Sequence, residues 1–388
     1  MSKPLTRETL GIGIAGTGFI GPVHVEALRR NGLRVLGLAE ATPELCARKA
    51  ADLGIPNAYA SFEAMLADPA IHVVHLATPH HLHYSQAKAA LLAGKHVLCE
   101  KPLAMNSSET GELVELAART GLVNAINYNL RFYPLVHEAR AMVQEGTLGG
   151  LFVVHGSYCQ DWLLYPTDWN WRLDPAVGGA LRAVSDIGTH WLDLIHFITG
   201  VRVREVYADF KIVHPIRKQP KKPVETYSRK VLPQEETIDH AMVTEDYAAL
   251  LLHYENGMAG NVILSQVSAG RKNRLFYEID GARAALSWDS TRPDELWIGQ
   301  RDEPNKVLVR EPQMLSQQAR AISSYPGGHN EGFPDTFKQL QKKVYQYILA
   351  GDFQAAPDFP TFADGHAEIR LGEAAGVSAR EKRWVTVD

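Results

Sequence analysis

Residues 10–40 read LGIGIAGTGFIGPVHVEALRRNGLRVLGLAE. This order predicts a short buried strand over Leu10–Ala15, a glycine turn over 16–21, a helix over Val23–Arg30 and a second strand over Arg34–Ala39. A strand that runs through a glycine turn into a helix and a second strand is typical of a βαβ unit, whose two strands lie parallel in one sheet. We therefore predict that the chain begins with α/β structure.

The glycine turn has the spacing GxGxxG. In a strand–turn–helix the first glycine permits the tight turn, the second lets the backbone approach a pyrophosphate, and the third lets helix and strand pack closely. The free N–H groups at the start of the helix also favour a bound anion. Glycine turns are common, so a structural turn without a ligand is the alternative. The predicted dinucleotide site comprises Gly16, Gly18, Phe19, Ile20 and Gly21.

An acidic residue, Glu40, follows the second strand about 20 residues after the glycine turn, where a ribose-binding carboxylate is expected. A carboxylate here accepts hydrogen bonds from ribose hydroxyls and repels a 2′-phosphate. Ala41 and Thr42 offer no arginine for that phosphate. The sequence therefore favours NAD over NADP, and an NADPH-dependent reductase would have to tolerate the 2′-phosphate despite Glu40.

Three further predicted strands, Val73–Ala77, His96–Cys99 and Val123–Asn127, alternate with helical segments. Alternation of this kind predicts a doubly wound parallel sheet, in which ligands bind at the carboxyl ends of the strands. Five polar residues lie at or just beyond such ends: Thr78, His83, Glu100, Lys101 and Asn127.

The pattern changes after Pro134, where strands follow one another without helices between them. We predict an α/β Rossmann domain over 1–130, followed by an α+β domain over 131–388 with a large, mostly antiparallel open sheet. The proline-rich stretch His214–Asp246 is expected to be a long surface excursion. The predicted strands of the second domain are Leu151–Tyr158, Val203–Val213, Tyr247–Tyr254, Asn261–Val267, Leu275–Ile279 and Ala284–Trp288, and the closing helices are Pro334–Leu349 and Phe362–Ala375.

Residues 178–193, GGALRAVSDIGTHWLD, predict a helix from Asp186 onward. Asp186, His190 and Asp193 are spaced i, i+4 and i+7 and so share one face. Two carboxylates beside one imidazole stabilise its protonated form, which suits a general base for alcohol oxidation. Gly188 is expected to leave room for a ligand on this face. The alternative is an ordinary surface histidine.

Two polar and aromatic segments are candidates for substrate binding. Residues 160–172, QDWLLYPTDWNWR, combine aromatic faces for sugar C–H groups with polar side chains for hydroxyls. A packed loop whose tryptophans serve the core is the equal alternative. In residues 327–332, GGHNEG, His329 could reach a substrate, or Asn330 could simply cap the turn. The candidate residues in these segments are Gln160, Trp169, Arg172 and His329.

Composition excludes several function classes. The 388 residues carry a net charge of -4, which does not favour nucleic acid as a partner. No apolar run approaches the ~20 residues of a membrane span, and the first ten residues lack an export signal. Three scattered cysteines suit a reducing cytoplasm. We predict no metal site, although His80, His81 and His83 are clustered.

Several motifs together resemble the Gfo/Idh/MocA family of oxidoreductases. They are the glycine turn, Thr78-Pro79-x-x-x-His83, Glu100-Lys101-Pro102 and Gly178-Gly179…Asp186-x-Gly188-x-His190-x-x-Asp193. The resemblance implies that Pro102 follows a cis peptide bond and that Lys101 lies beside the nicotinamide and contacts the substrate hydroxyl. It also implies that His190 accepts the hydroxyl proton while Asp186 binds or orients the substrate. The cofactor residues that it implies beyond the turn are Thr78, Pro79, His83, Glu100, Lys101 and Asn127.

The resemblance implies an NAD-dependent dehydrogenase that oxidises a secondary hydroxyl of a sugar or polyol. The loop at 160–172 and the turn at 327–332 resemble the branch that includes levoglucosan dehydrogenase and pyranoside 3-dehydrogenases. Inositol dehydrogenase is the alternative within the family, and a catalytically silent NAD-binding sensor is the alternative outside enzymes. The family also implies a homo-oligomer, a dimer or tetramer, paired through the open face of the second sheet.

Overall fold

The computed structural model of the protein describes residues 5–222 and 234–387. Two compact units make up the chain: Met1–Asn129 with Pro334–Ile369, and Leu130–Phe333 with Arg370–Asp388. The predicted division assigned everything after residue 130 to the second domain, whereas residues 334–369 fold with the first unit.

The strands are β1 Gly11–Ala15, β2 Arg34–Ala39, β3 Asn57–Ala58, β4 Val73–Leu76, β5 His96–Cys99, β6 Asn124–Ile126, β7 Leu151–Cys159, β8 Val203–Lys211, β9 Ile216–Pro220, β10 Thr237–Ala241, β11 Tyr247–Tyr254, β12 Ala259–Ser265, β13 Arg274–Gly281, β14 Ala285–Asp289, β15 Glu295–Gly299, β16 Lys306–Val309 and β17 Val385–Thr386. The α-helices are α1 Gly21–Arg30, α2 Pro43–Leu53, α3 Phe62–Ala67, α4 His80–Leu92, α5 Ser107–Thr120, α6 Pro134–Gln144, α7 Pro175–Gly178, α8 Thr189–Thr199, α9 Gln317–Ile322, α10 Phe333–Ala350 and α11 Phe362–Glu381.

The first unit is built on a six-stranded parallel sheet with the order β3-β2-β1-β4-β5-β6. Every residue of β1, β4 and β5 is buried. Continuous burial is expected for parallel strands that helices cover on both faces. The chain order reverses between β1 and β4, which is where such sheets bind ligands. The predicted doubly wound parallel sheet is confirmed.

Residues 334–369 join the first unit because they supply partners for its buried polar groups. The Tyr345 hydroxyl on α10 lies 2.6 Å from Nε2 of His75 in β4. Asn129 Nδ2 donates to Thr336 Oγ1 at 2.7 Å. Further along, Phe362 is fully buried in the core beneath the parallel sheet. Short-range sequence patterns do not report this return of the chain.

The second unit contains a nine-stranded sheet with the order β16-β15-β14-β13-β7-β12-β11-β8-β17. All of its neighbouring strands are antiparallel except β7 and β12, which run parallel. The predicted large, mostly antiparallel sheet is confirmed. Strands alternate in burial, as in β11, where Ala248, Leu250 and Leu252 are buried while Leu251 is 49% exposed. One face of the sheet therefore forms the core and the other carries exposed side chains.

The segment His214–Asp246 is only partly the surface excursion that we predicted. β9 and β10 pair there as an antiparallel two-stranded sheet, and Arg217 in β9 is fully buried. Two of the prolines that suggested a loop, Pro223 and Pro233, lie outside the described residues.

The segment after Asp186 also has an apolar face. Ile187, Trp191, Leu194, Ile195 and Ile198 are all buried in the core of the second unit. Elsewhere, Cys46, Cys99 and Cys159 are free cysteines. Across the described ranges, no helix combines the length and apolarity that a membrane span needs.

Candidate active site

The glycine turn after β1 has the geometry that a dinucleotide needs. Gly16 has φ +87°, and a Cβ there would lie 2.7 Å from the carbonyl oxygen of Ala77. A Cβ on Gly21 would lie 2.2 Å from the carbonyl oxygen of Gly16, so helix and turn pack too closely for a side chain. A Cβ on Gly18 would meet no atom within 4 Å. The open space at Gly18 is where a ligand could approach the backbone.

The surroundings of this turn also fit NAD. No side chain caps the start of α1 at Ile20, and its first turn holds no acidic residue, so the N–H groups there suit a phosphate. Phe19 is exposed beside them. The Glu40 carboxylate, at the end of β2, accepts hydrogen bonds from the backbone N–H and hydroxyl of Thr17. A carboxylate fixed in this way could accept hydrogen bonds from ribose hydroxyls.

The loops after β4 and β5 are tied together by His83. Its buried ring lies with Nδ1 2.7 Å from the Pro102 carbonyl oxygen and Nε2 2.8 Å from the Thr78 carbonyl oxygen. The Thr78 hydroxyl donates to Gln86 at 2.6 Å, and Pro79 immediately precedes α4. His83 was predicted to bind the cofactor; both of its ring nitrogens contact backbone carbonyl groups, which suits a residue that shapes the site through the two loops.

Lys101 follows β5, and the peptide bond between Lys101 and Pro102 is cis, as the family resemblance implied. The preceding residue, Glu100, is buried; His24 Nε2 lies 2.9 Å from its Oε1, which also accepts from the Asn127 amide. Burial raises the pKa of Glu100, but the hydrogen bond from His24, the charge of Lys101 and the Asn127 amide together bring it below its usual value. Glu100 is therefore an anion at neutral pH.

In the second unit, Asp186 lies in a short π-helical turn, Val184–Gly188, that leads into α8. We predicted regular α-helix from Asp186, but it begins at Thr189. Gly188 was expected to leave room for a ligand; instead, a Cβ there would lie 2.6 Å from a methyl group of Leu264. The wider turn is thus associated with close packing against β12, and π turns are frequent at functional sites.

The Asp186 carboxylate is buried between two polar partners. Gln266 Nε2 donates to its Oδ2 at 2.8 Å. Arg172 Nε lies 3.3 Å from its Oδ1, which is an ion pair without the alignment of a hydrogen bond. Arg172 also stacks on the Trp171 ring at 4.3 Å. Asp186 is therefore charge-compensated and fixed in orientation.

His190 is buried in α8, with its ring centroid 6.3 Å from that of Tyr158. Asp193, one turn further, forms a buried bidentate ion pair in which Arg131 Nε donates to Oδ2 at 2.8 Å and Nη2 donates to Oδ1. The expected stabilisation of protonated His190 by Asp193 must therefore compete with Arg131. Sequence reasoning missed Arg131 because it lies some sixty residues upstream in the chain.

The loop at 160–172 is more packed than an open sugar site would be. Gln160 Oε1 accepts from Trp162 Nε1 at 2.8 Å, and Gln160 Nε2 donates to Asn273 at 2.8 Å. The Trp169 ring meets His240 edge-on at 4.9 Å. Trp162 and Trp169 also pack on a small apolar cluster of Leu163, Leu173 and Met242. For these two tryptophans the packing alternative is supported, while Arg172 lies at Asp186.

A buried set of charges that the sequence did not reveal holds this loop. Asp246 pairs with both Arg182 and Arg217, and all three side chains are buried. Arg217 also donates to the carbonyl oxygens of Tyr165 at 2.8 Å and Leu163 at 2.9 Å. Burial raises the pKa of Asp246, but the two guanidinium charges outweigh burial and keep it low. These residues lie in stretches that resemble polar surface, so no local pattern identifies them.

Two buried charged residues, Arg310 and Glu331, hold the turn that carries His329. Arg310 is buried and donates to Asp294 at 2.6 Å and to the Tyr325 carbonyl oxygen at 2.7 Å. Buried Glu331 accepts from the backbone N–H of Ser324 at 2.8 Å. The His329 side chain itself is exposed, with Nδ1 3.3 Å from the Gly327 carbonyl oxygen. The backbone of the turn is therefore held in place by hydrogen bonds, while the His329 side chain lies at the surface.

A cavity of about 220 Å3 lies within the second unit. Tyr158, which lies beside His190, and Asn273, which binds Gln160, are both in its wall. In residues 5–222 and 234–387, one group of three side chains is close enough to share a metal ion: His155, Glu278 and Asp280, on β7 and β13. His80, His81 and His83 form no such group within those residues.

Comparison with known proteins covers nearly the whole chain. The Gfo/Idh/MocA model, described as an oxidoreductase family with an NAD-binding Rossmann fold, matches residues 10–128, and the Gfo/Idh/MocA C-terminal domain matches residues 136–287. Levoglucosan dehydrogenase of Pseudarthrobacter phenanthrenivorans is 28% identical over 402 residues, which cover 98% of each chain.

Solved structures agree with this match. Levoglucosan dehydrogenase in complex with NADH and levoglucosan has a TM-score of 0.87 at 27% identity, over 98% of this chain and 99% of that chain. An inositol dehydrogenase homologue from Azotobacter vinelandii, complexed with NADH and myo-inositol, has a TM-score of 0.84 at 26% identity, over 97% of each chain. The predicted cofactor, NAD, is confirmed at the level of the matched family.

Proposed function

Because this chain belongs to the Gfo/Idh/MocA family of oxidoreductases, we propose that it oxidises a secondary hydroxyl of a sugar, anhydrosugar or glycoside to a keto-sugar, using NAD. Full-length similarity to levoglucosan dehydrogenase supports this substrate class. The glycine turn, the uncapped start of α1 and Glu40 would hold the cofactor.

Oxidation of a secondary alcohol removes a proton from the hydroxyl oxygen and a hydride from the carbon that carries it, and leaves a carbonyl group. Bound NAD supplies the hydride acceptor. We assign the proton to His190, which acts as general base. Lys101 donates a hydrogen bond to the reacting oxygen and stabilises negative charge there as the proton leaves. Asp186 accepts a hydrogen bond from the substrate and orients it, while Arg172 contributes to the same polar wall.

The observation that carries this proposal is the buried Asp186 carboxylate, held by Arg172 and Gln266 one turn before His190. A polar group that is fixed before substrate arrives loses little freedom on binding, and such preorganisation favours reaction. An acid–imidazole pair of this kind suits a hydroxyl-rich ligand. In the first unit, the loop after β5 carries the Lys101 amine.

Turnover can be tested by NADH absorbance with purified protein, NAD and a panel of levoglucosan, free pyranoses, glycosides and polyols. We expect reduction of NAD with at least one pyranose-derived substrate, and a keto-sugar by mass spectrometry. Parallel reactions with NADP should be slower because of Glu40. NAD binding without turnover on any member of the panel would favour the silent sensor instead.

Inositol oxidation is the second candidate, because the chain is similar over 97% of its length to an inositol dehydrogenase homologue complexed with myo-inositol. Including myo- and scyllo-inositol in the panel distinguishes the two. A kcat/KM at least tenfold higher for an inositol than for any pyranose would replace the sugar proposal by this one.

A further inference from the structure

A line of buried polar side chains crosses the first unit and ends at Glu100. It begins at the Tyr345 hydroxyl on α10, which lies 2.6 Å from His75 Nε2. His75 Nδ1 lies 2.9 Å from Nδ1 of His24 on α1, and His24 Nε2 lies 2.9 Å from Glu100 Oε1. His24 and His75 have no exposed surface, and Tyr345 is 2% exposed. We call these four residues the Tyr345–Glu100 chain.

The hydrogen bonds fix where the protons are. Glu100 is an anion, so His24 Nε2 must carry the hydrogen that lies between them. Burial holds the pKa of His75 well below its usual value, so His75 is neutral and has one N–H. The Gln341 amide, 3.4 Å from His24 Nδ1, is oriented to donate to that nitrogen.

His24 Nδ1 is then an acceptor, and His75 donates to it from Nδ1. That leaves His75 Nε2 as the acceptor for the Tyr345 hydroxyl. Every donor in the Tyr345–Glu100 chain therefore points toward the carboxylate, and each hydrogen bond reinforces the next. One arrangement of protons satisfies all four side chains.

The fold alone does not require the Tyr345–Glu100 chain. His75 stands in the middle of β4 between Val74 and Leu76, at a position that a branched apolar residue would fill without desolvating an imidazole. Buried polar networks that are fully hydrogen-bonded rigidify the residues they join. Glu100, at the end of the Tyr345–Glu100 chain, immediately precedes Lys101 in the sequence, and the charges of Glu100 and Lys101 attract one another.

We propose that His24, His75 and Tyr345 are positioning residues for the oxidation: they hold Glu100 as an oriented anion, and Glu100 holds the ammonium group of Lys101 in place. This inference rests on the role that Lys101 has in the proposed function. His24 contacts Glu100 directly and has the largest effect; Tyr345, three hydrogen bonds away from Glu100, has the smallest.

The proton arrangement can be measured without turnover. Long-range 1H–15N spectra of 15N-histidine-labelled full-length protein at pH 7.5 distinguish the two neutral tautomers from the imidazolium. Variants at each histidine assign the signals. We expect the Nε2–H tautomer for His24 and the Nδ1–H tautomer for His75. A His24 ring protonated on both nitrogens, or tautomers of the opposite sense, would overturn the inference.

The kinetic test compares two replacements of His24. The amide nitrogen of glutamine can reach the position of Nε2 and donate to Glu100, whereas asparagine reaches only the position of Nδ1. We expect His24→Asn to lower kcat at saturating NAD and sugar by about tenfold or more, the usual effect of losing a partner of a catalytic group. His24→Gln should retain kcat within about threefold of the original protein.

The matched control is His366→Asn, because Nδ1 of His366 also has a side-chain hydrogen-bond partner, Thr110 Oγ1 at 2.7 Å, but His366 lies on α11. Its kcat should not change. NAD affinity should stay within about threefold in all variants, since the glycine turn is untouched. Equal losses in His24→Asn and His24→Gln, or an unchanged kcat in His24→Asn, would contradict the positioning role. Absence of turnover in the unmodified protein would contradict the proposed function instead, and the tautomer measurement would still decide the proton arrangement.

Discussion

At the residue scale, the carboxylates around α8 are each compensated by a partner from a different segment. Asp186 is held by Arg172 and Gln266, and Asp193 by Arg131. A buried charge that lost its partner would strongly destabilise the folded protein. These ion pairs therefore make the geometry around His190 hard to deform. The chemistry proposed for His190 depends on that rigidity.

Replacing either proposed catalytic group should abolish turnover without loss of the cofactor. Lys101→Ala removes the hydrogen-bond donor at the reacting oxygen, and His190→Ala removes the base; each contribution is typically worth about 10²–10⁴ in rate. NAD affinity, measured by fluorescence quenching, should stay within a few fold of the original. His366→Ala serves as the histidine control. Unchanged activity in either variant would show that the base or the site is wrongly assigned.

Asp193→Asn should destabilise the protein because it leaves the buried Arg131 guanidinium without a counter-charge. Breaking a buried pair from one side costs about 3–5 kcal/mol, which differential scanning calorimetry would detect as a lower melting temperature. Asp209→Asn is the control, since Asp209 pairs with Lys382 at the surface and should change the melting temperature little. Similar shifts in both variants would mean that the Arg131 pair adds nothing special.

Local motifs led to the proposed catalytic residues but not to their partners. Lys101, Asp186 and His190 stand in short motifs with a mechanistic reason for each position. Gln266 reaches Asp186 from 80 residues away, at the end of β12, and nothing near either residue predicts that contact. Partners of this kind depend on strand pairing, so they become visible only once the fold is known.

At the scale of elements, two glycines in the turn between β1 and α1 are expected to have different roles, one in cofactor binding and the other in stability. A Cβ on Gly18 would meet open space, whereas a Cβ on Gly21 would press on the Gly16 carbonyl oxygen at 2.2 Å. We therefore predict that Gly18 serves ligand binding, whereas Gly21 is required by the packing of the turn.

We expect Gly18→Ala to leave the melting temperature unchanged but to weaken NAD binding about tenfold or more, because the new methyl group occupies the space of the pyrophosphate. Gly21→Ala should lower the melting temperature by several degrees, as overpacking costs about 1–3 kcal/mol. Calorimetry and NAD titration measure the two effects. A stable Gly18→Ala protein with full NAD affinity would refute the ligand's approach at this turn.

Two buried histidines, His75 in β4 and His96 in β5, should lower the free energy of unfolding in mild acid. Burial, helped by the charge of His72, lowers the pKa of His96 from 6.5 to about 4. Between these values the unfolded chain binds the additional proton, so stability falls as pH drops from 6.5 to 4 and is not affected by this group below 4. The loss is about 3 kcal/mol for His96, and His75 acts in the same direction.

The variant that tests this is His96→Asn, whose side-chain oxygen can still accept from the Val123 N–H that now lies 3.0 Å from Nδ1. The free energy of unfolding from urea titrations at pH 7 and pH 4.5 should differ less in the variant than in the original protein. An equal pH dependence in both would contradict the burial argument for His96.

Elements with strong apolar patterns were predicted well, and polar ones were not. β2, β5 and β11 have the bounds that their sequences suggest. The pair β9 and β10 was missed because IRKQP and TIDHA alternate weakly and lie among prolines. Asp186 was placed in an α-helix because the spacing of apolar residues cannot report a π turn.

At the scale of the whole molecule, the outward face of the nine-stranded sheet carries exposed apolar side chains. Leu251 on β11 and Val153 on β7 are among them. We predict a dimer or tetramer formed through this face, which light scattering would detect. Leu251→Lys should shift the protein toward smaller species, whereas Leu92→Lys, at an exposed leucine of α4, should not. A monomer at micromolar concentration would refute the prediction.

The division of the chain into two domains was predictable, but the unit to which its closing segment belongs was not. The amphipathic pattern of Phe333–Ala350 predicts a helix, yet it does not say which sheet the helix covers. Its contacts with the first unit, such as those of Tyr345 with His75 and of Thr336 with Asn129, make that assignment.

The parallel pairing of β7 with β12 has a consequence for synthesis on the ribosome. Strand β7 ends at Cys159. Its two neighbours in the sheet, β12 and β13, start 100 residues later at Ala259 and later still at Arg274. The strand at the middle of the sheet therefore emerges early and waits for both flanking strands, and contacts so distant along the chain form slowly. Translation pauses before Gly281, or chaperones that shield a lone β7, should govern the yield of soluble protein more than codon choice elsewhere.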